Sequence, residues 1–371
     1  MSNITAAIEI DETDASDIML SLIEMEIEED HRLTTSFKIK LGINLLEDGS
    51  WTLLDDERLA LWKKVSIKIN VADEEVELIK GYITHIKSQI AEEENNSYLI
   101  LIGLDGSCLM SLEEKIKDWP NKTDSDIASE ILQSYSLDAQ VDTVEVVHDE
   151  SVSTIIQRDT DIRFLKRLAR RNGFDCFVKG DKGYFCKPVF TESPQLLLAS
   201  NFGVESNLLS FEAALSALRP TKVEMRQIDT VAKEIVTADI QEGDQKKLGR
   251  DGALSLTIPN GGSSKMFVKQ TVATSQTEME NLCKALLDEG EWFLQAEGKL
   301  NTPVYGSVLQ TRKLVPIKGV GEAFSGVYYV TNVKHIFTPG NYFQKFTCRR
   351  NALAPSGPGD FGAASLLGGL P

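Results

Sequence analysis

The chain has 371 residues, 42% of them apolar and 26% charged, the make-up of a folded protein with more than one core. Its 56 acidic and 39 basic residues give a formal net charge of −17 and a pI near 4.8, a balance that repels nucleic acid and anionic lipid. No run approaches the roughly 18 apolar residues of a membrane span, and the acidic first thirty residues do not read as a signal peptide. The expectation is a protein made in the cytoplasm, with no nucleic-acid partner and no stable membrane insertion.

The first hundred residues alternate with period two, as strands with one wet face must. Ile23, Met25 and Ile27 alternate with Glu24, Glu26 and Glu28. Phe37, Ile39, Leu41, Ile43 and Leu45 alternate with polar or small residues, and so do Val65, Ile67, Ile69 and Val71. Asp48-Gly49 marks a tight turn, and the acidic loop Glu92–Asn96 separates strand-like runs at 75–90 and 98–105. An antiparallel barrel or sandwich follows.

After Asp105-Gly106 the character changes. Residues 124–135 read as a helix with Asp124 or Ser125 as its cap, and 161–172 as a stronger one with Asp161 as N-cap and Asn172-Gly173 as its stop. Lys166, Arg167, Arg170 and Arg171 crowd the last turns of the second helix and read as a solvated end favoured by the helix dipole. Short strands follow at 174–189 and 206–228. Residues 241–264 are polar and glycine-rich and read as a long loop or flexible insertion. A third helix is expected over 277–296, with capping-box spacing at Thr277 and Glu280, an apolar face that includes Met279, Leu282, Cys283, Leu286 and Phe293, and Gly298 as its end. Residues 303–350 are again β-like. Asn351–Pro371 carries proline, glycine and alanine and reads as an extended, adhesive tail that orders against a neighbour.

Sites of chemistry are scarce. His31, His85, His148 and His335 fall in no metal-binding spacing and read as surface or satisfied histidines. The five cysteines contain no C-x-x-C pair and read as buried reduced thiols. Asp159 and Asp161 read as a helix start rather than as metal ligands, and Gly319 and Gly321 as turn or bulge positions rather than a nucleotide loop. No G-x-S-x-G or phosphate-loop pattern is present. The reading is of a protein that is not an enzyme, with no catalytic, metal or cofactor-binding residue and no cofactor.

Two segments resemble a known family. Residues 154–187 carry Gln157, Asp161, Phe164, Leu165, Leu168, Ala169 and Gly173, then a hairpin across Phe174–Phe185. This resembles a phrase of phage late control protein D and of the hub half of VgrG spike proteins. Residues 315–337 carry Gly319, Gly321, Phe324, Ser325, Gly326, Tyr328 or Tyr329, Val330, Val333 and His335, and resemble the closing strands of that family, with Arg349-Arg350 following. Gly103-Leu104-Asp105 and Thr123–Leu132 are weaker matches in the right order.

The resemblance implies an α+β, mainly β fold with two tube-protein-like antiparallel β-barrels and a mixed α/β middle domain. The first barrel is 1–108. The middle domain is 109–205 with 241–300, the second barrel 206–240 with 301–352, and the tail 353–371. It implies a homotrimeric baseplate hub of a contractile tail or injection system. The hub joins the hexameric inner tube ring to a trimeric spike, expected as a separate chain because no spike module follows Pro371, and meets other baseplate proteins. The competing expectations are a tail-associated peptidoglycan-degrading enzyme and a cell-wall-binding module. Gly326 is expected to be needed for the geometry of the last barrel, at a bulge or a close backbone approach.

Overall fold

The computed structural model describes residues 4–355 apart from 73, 93–95, 152–153, 202, 230–231, 253–257, 270–272 and 274. Most of the expected tail, 356–371, lies outside the described residues. The chain is mainly β, and its larger sheet is almost wholly antiparallel.

The first 105 residues supply β1 (Thr5–Ile10), β2 (Thr13–Asp14), β3 (Leu22–Asp30), β4 (Ser36–Gly42), β5 (Lys64–Val71), β6 (Glu74–Gln89) and β7 (Tyr98–Asp105). Their inward residues, among them Ile8, Met25, Ile27, Phe37, Ile39, Ile67, Ile83 and Leu101, close one core. The alternation read in the sequence is the alternation of faces: on the wet face Lys38 reaches Glu24 at 3.6 Å and Glu26 at 3.5 Å, across neighbouring strands. Asp48-Gly49 forms its turn, with Gly49 at φ 87°.

A mixed unit follows: β8 (Glu114–Trp119), α1 (Asp124–Ser134), β9 (Asp138–Val141), β10 (Ile155–Thr160), α2 (Asp161–Asn172), β11 (Asp175–Lys179) and β12 (Lys182–Cys186). Its core is the face of both helices laid on these strands, with Phe164, Leu165, Leu168, Ile127 and Phe185 fully buried. The cap of α1 is Thr123, not Asp124 or Ser125. Thr123 Oγ1 accepts the Asp126 amide at 3.0 Å, and Asp126 returns the bond at 3.1 Å. Asp124 is unavailable because its carboxylate is buried against His148 and Asn172. Asp161 is likewise the first helical residue and not the cap. Its carboxylate accepts from Gln157 Nε2 and Tyr135 Oη, both at 2.7 Å, and from Lys115. Gly173 ends α2 in the left-handed conformation, as expected.

The remainder gives β13 (Leu198–Ala199), β14 (Leu208–Leu215), β15 (Lys222–Ile228), β16 (Ile235–Ile240), β17 (Asp251–Gly252), β18 (Lys265–Val268), α3 (Gln276–Gly290), β19 (Leu294–Asn301), the single turn α4 (Thr302–Tyr305), β20 (Leu314–Lys318), β21 (Gly326–Thr338), β22 (Asn341–Arg350) and β23 (Ala352–Leu353). β15, β16 and β18 form a separate sheet on which α3 packs through Val223, Met225, Met279 and Cys283. α3 is capped by Ser275, whose Oγ accepts the Glu278 amide at 3.2 Å, and stops at Gly290, not Gly298. Residues 294–301 are instead held as β19 between β14 and β22, so Phe293 belongs to the sheet core. Within 241–264, β17 pairs with β23, and Leu248 is buried beside Arg350.

One 13-stranded sheet unites the two ends of the chain. Its order is β14-β19-β22-β21-β3-β4-β7-β6-β5-β1-β2, with β20 on β21 and β13 on β20. The two halves join where β21 pairs antiparallel with β3, from Asn332 opposite Asp30 to Phe337 opposite Met25. Each half covers its own core, the second built on Tyr328, Val330, Val333, Phe346 and Leu300.

Candidate functional site at the junction of the cores

Where β3 leaves the sheet it delivers Glu29, Asp30, His31 and Arg32 in succession to the meeting point of both halves with α2, α3 and β11. Glu29 is 7% exposed. Its carboxylate takes Arg312 Nη1 at 3.1 Å and faces Lys179 Nζ at 3.5 Å. Arg312 also donates to the Asp30 carbonyl at 2.7 Å and lies 3.7 Å over the Phe177 ring. Burial alone would push the Glu29 carboxyl up, but Lys179 and Arg312 outweigh it and hold it below the usual range.

Glu289, near the end of α3, gathers two arginines. Arg32 grips it with both terminal nitrogens, and Arg349 Nη1 approaches at 3.2 Å. The Arg349 guanidinium covers the Trp292 ring at 4.3 Å; Trp292 stacks on Tyr329, and Phe190 meets Trp292 tilted and Tyr329 edge-on. Tyr329 Oη donates to Asp175 Oδ2 at 3.1 Å. Burial pushes the Asp175 carboxyl up, although Arg312 and Arg349 oppose it. A second network ties the helices together: Arg171 pairs with Glu278 and, at 3.3 Å, with Asp124, which holds His148 Nε2 at 2.9 Å. Arg171 is therefore a helix-to-helix tie and not part of a solvated end, while Arg163, Arg167 and Arg170 are exposed.

The histidines scatter. His85 is at the surface of β6, His148 is in the helix network, His31 is at the junction and His335 is buried with its Nδ1 2.8 Å from Tyr342 Oη. Asp159 faces Arg163 at 3.7 Å while Asp161 is committed inside the mixed unit. Among the described residues no group of three or more His, Cys, Asp or Glu is placed to hold a metal. All five cysteines are free thiols, and burial pushes Cys108 to about 11 and Cys176 to about 12, values at which a thiol is a poor nucleophile. Gln157 and Asp161 touch each other, and Gln157 Oε1 accepts from Trp119 Nε1 at 3.2 Å, so that motif stitches β8, α1 and α2 together.

This arrangement braces the two sheet halves against α2, α3 and β11. Buried ion pairs are directional, and removing one member strands the other, at about 3–5 kcal/mol. Glu29→Gln is therefore expected to destabilise the protein by about 3 kcal/mol. Equilibrium urea unfolding would then show a lower midpoint with an unchanged slope; an unchanged midpoint would remove Glu29 from the brace.

A family model, that of the Alg8 N-terminal domain, matches residues 2–338. No curated protein matches the chain in sequence. In structure it is similar to the 43 kDa tail protein of prophage MuSo2 from Shewanella oneidensis, with TM-score 0.67 and 13% identity over 95% of this chain and 100% of that one. A tail protein from Neisseria meningitidis gives TM-score 0.67 and 11% identity over 95% of this chain and 98% of that one. A type VI secretion system component from E. coli, itself structurally similar to T4 bacteriophage tail proteins, gives 0.55 and 11% over 95% and 79%. The fold is that of phage tail proteins. No helix among the described residues is long and apolar enough to cross a membrane.

Proposed function

We propose that this chain, which belongs to the family of the Alg8 N-terminal domain, is a structural hub of a contractile tail or injection system and joins the inner tube to the spike in the baseplate. The observation that carries this reading is the fold likeness to two phage tail proteins over 95% of the chain and nearly all of theirs. The two sheet halves, each on its own core, support reading two tube-like barrels; of the expected second barrel, 222–240 stands in the separate sheet with β18, while β19 takes a place in the second half. The mixed α/β part would lie between them. The brace at their junction supports a load-bearing role in place of a catalytic one, with no cofactor.

Three chains with two such barrels each would offer six docking surfaces to a hexameric tube ring and a true three-fold axis to the spike. Closed cyclic symmetry would also prevent open-ended growth. With a charge of −17 per chain, subunit contacts in this homotrimer would have to be apolar or locally complementary. The working place of the protein is then the assembled particle, among tube, spike and other baseplate proteins. Image averages of assembled particles test the proposal. A three-copy layer between tube and spike is expected; six copies in that layer, or a single copy off the axis, would refute it.

A further inference from the structure

The large sheet leaves two strand edges open. β14 pairs with β19 on one side and, among the described residues, with no strand on the other. Toward the far end β6 pairs with β7 as far as Gln89, but the β5 side parts from it at Ile83, so residues 84–89 also lack a strand on one flank. These six residues offer about 20 Å of unpaired backbone, and β14 somewhat more, and such rows of free N–H and C=O groups are templates for another strand.

Both edges also lay open residues of the core side. Leu215 stands opposite the fully buried Leu294 yet is 49% exposed, and Ile86, opposite the buried Leu101, is 40% exposed. Opposite residues share a face, so each of these side chains lies on the side of its own core and is uncovered because the next strand is missing. The wet sides of the two edges differ in charge. Glu212 stands opposite Glu297 across β14 and β19, like charges that repel in a cross-strand pair, and neither has an ion-pair partner among the described residues. The wet residue of β6 is Lys87, opposite Ile100, and it has none either. In the middle of this face, by contrast, Lys38 and Lys334 neutralise Glu26.

Direction and charge together select the partner. From one edge to the other the order is β14-β19-β22-β21-β3-β4-β7-β6, eight strands, each antiparallel to the next. Eight is even, so β14 and β6 run in opposite directions. A copy rotated about an axis along the strands therefore presents its β6 antiparallel to β14. Pairing β14 with itself would bring Glu212 to Glu212, and pairing β6 with itself Lys87 to Lys87. Only β14 against β6 joins acid to base and continues the core side from one copy to the next.

We propose that β14 of one copy pairs antiparallel with residues 84–89 of β6 in a second copy, so that the sheets join head to tail. Repeated around one axis, this contact closes a ring and leaves neither edge unpaired. The pairing rests on these strands; that three copies close the ring rests on the hub reading.

Sedimentation velocity of the full chain, with carbodiimide coupling of mixed ¹⁴N- and ¹⁵N-labelled protein, tests the pairing. Association is expected, with an amide link between Lys87 and Glu212 or Glu297 in peptide pairs of mixed isotope. Glu212→Lys and Lys87→Glu are each expected to raise the association midpoint about tenfold, and the two together to return it to within about threefold of the wild type. Both positions are exposed, and thermal melts check that the variants fold. Should a single variant melt well below the wild type, the mixed-isotope link in the wild type decides alone. A chain that stays monomeric up to about 1 mM, an oligomer without the mixed link, or a folded double variant no better than the single ones overturns the pairing. A ring of another size, linked through the same residues, keeps the pairing and sinks the three-copy hub. A three-copy layer in particles that yield no Lys87 link does the reverse.

Discussion

Gly326→Val is expected to lower the melting temperature by roughly 4 °C or more and to block particle assembly. Gly326 opens β21 at φ 146°, where side chains are rarely accommodated, and a Cβ there would stand 2.5 Å from three atoms of the Arg350 guanidinium. That guanidinium cannot step aside. Arg350 is fully buried, and it donates to the carbonyls of Leu248 at 3.2 Å, Ser325 at 2.9 Å and Ala354 at 2.8 Å. It thereby fastens the 241–264 segment and the exit of the chain to the end of the sheet. Displacing it strands a buried cation and three carbonyls, so strain and lost hydrogen bonds together reach about 3 kcal/mol or more. In a double-mutant cycle with Arg350→Met, the second Gly326→Val effect should be smaller than the first. Unchanged melting of Gly326→Val, or full additivity in the cycle, would contradict this account.

The sequence signals a glycine requirement at 326 but suggests a bulge or a close backbone approach. The bulge of β21 lies further along, between Val330 and Asn332, and what crowds Gly326 is a side chain 24 residues away in sequence. The same division runs through the molecule. β3, β4 and β5 are legible because each has one wet face, β7 because an almost wholly apolar run follows an acidic loop, and α2 because its stripe, acidic start and Gly173 all agree. β1 and β8 carry no such signal. In β8 only Trp119 is fully buried, so no alternation marks it. The end of α3 is not legible, because Phe293 continues the apolar stripe of the helix, while pairing with β14 and β22 decides that 294–301 is extended.

The junction was hidden for a different reason. Glu29, Arg32, Asp175, Lys179, Glu289, Arg312 and Arg349 come from segments up to about 320 residues apart, and no local spacing connects them. In a chain this acidic, any one of these carboxylates looks like solvated surface. The one available sign was a charged run, Glu28 to Arg32, that continues an alternating strand whose next partner had to be found elsewhere. Its partner is β21, and of the residues that resemble the closing strands of the late control protein D and VgrG family, Val333 and His335 lie in this seam.

That seam also carries an acid sensitivity. His335, in β21, is 1% exposed, stacked on Tyr342 and bonded to its hydroxyl at 2.8 Å. Burial is the main force on it and lowers its pKa to about 4; Glu29 pulls the other way and Lys179 adds to the lowering. The unfolded chain protonates this ring near 6.5, so between pH 6.5 and 4 the unfolded state binds more protons than the native one. The stability tied to a neutral His335 is fully present above pH 6.5, falls as the pH drops and is spent below about 4. Its size is on the order of 3 kcal/mol. His31, lowered to about 3, adds loss in the same direction, whereas Asp175, whose carboxyl is raised, returns some stability as it protonates. Urea midpoints measured at steps from pH 7.5 to 4.5 should therefore fall for the wild type. His335→Gln, which can still bond Tyr342 but cannot charge, should start lower at pH 7.5 and fall less steeply. Parallel curves for the two proteins would show that the acid sensitivity resides elsewhere.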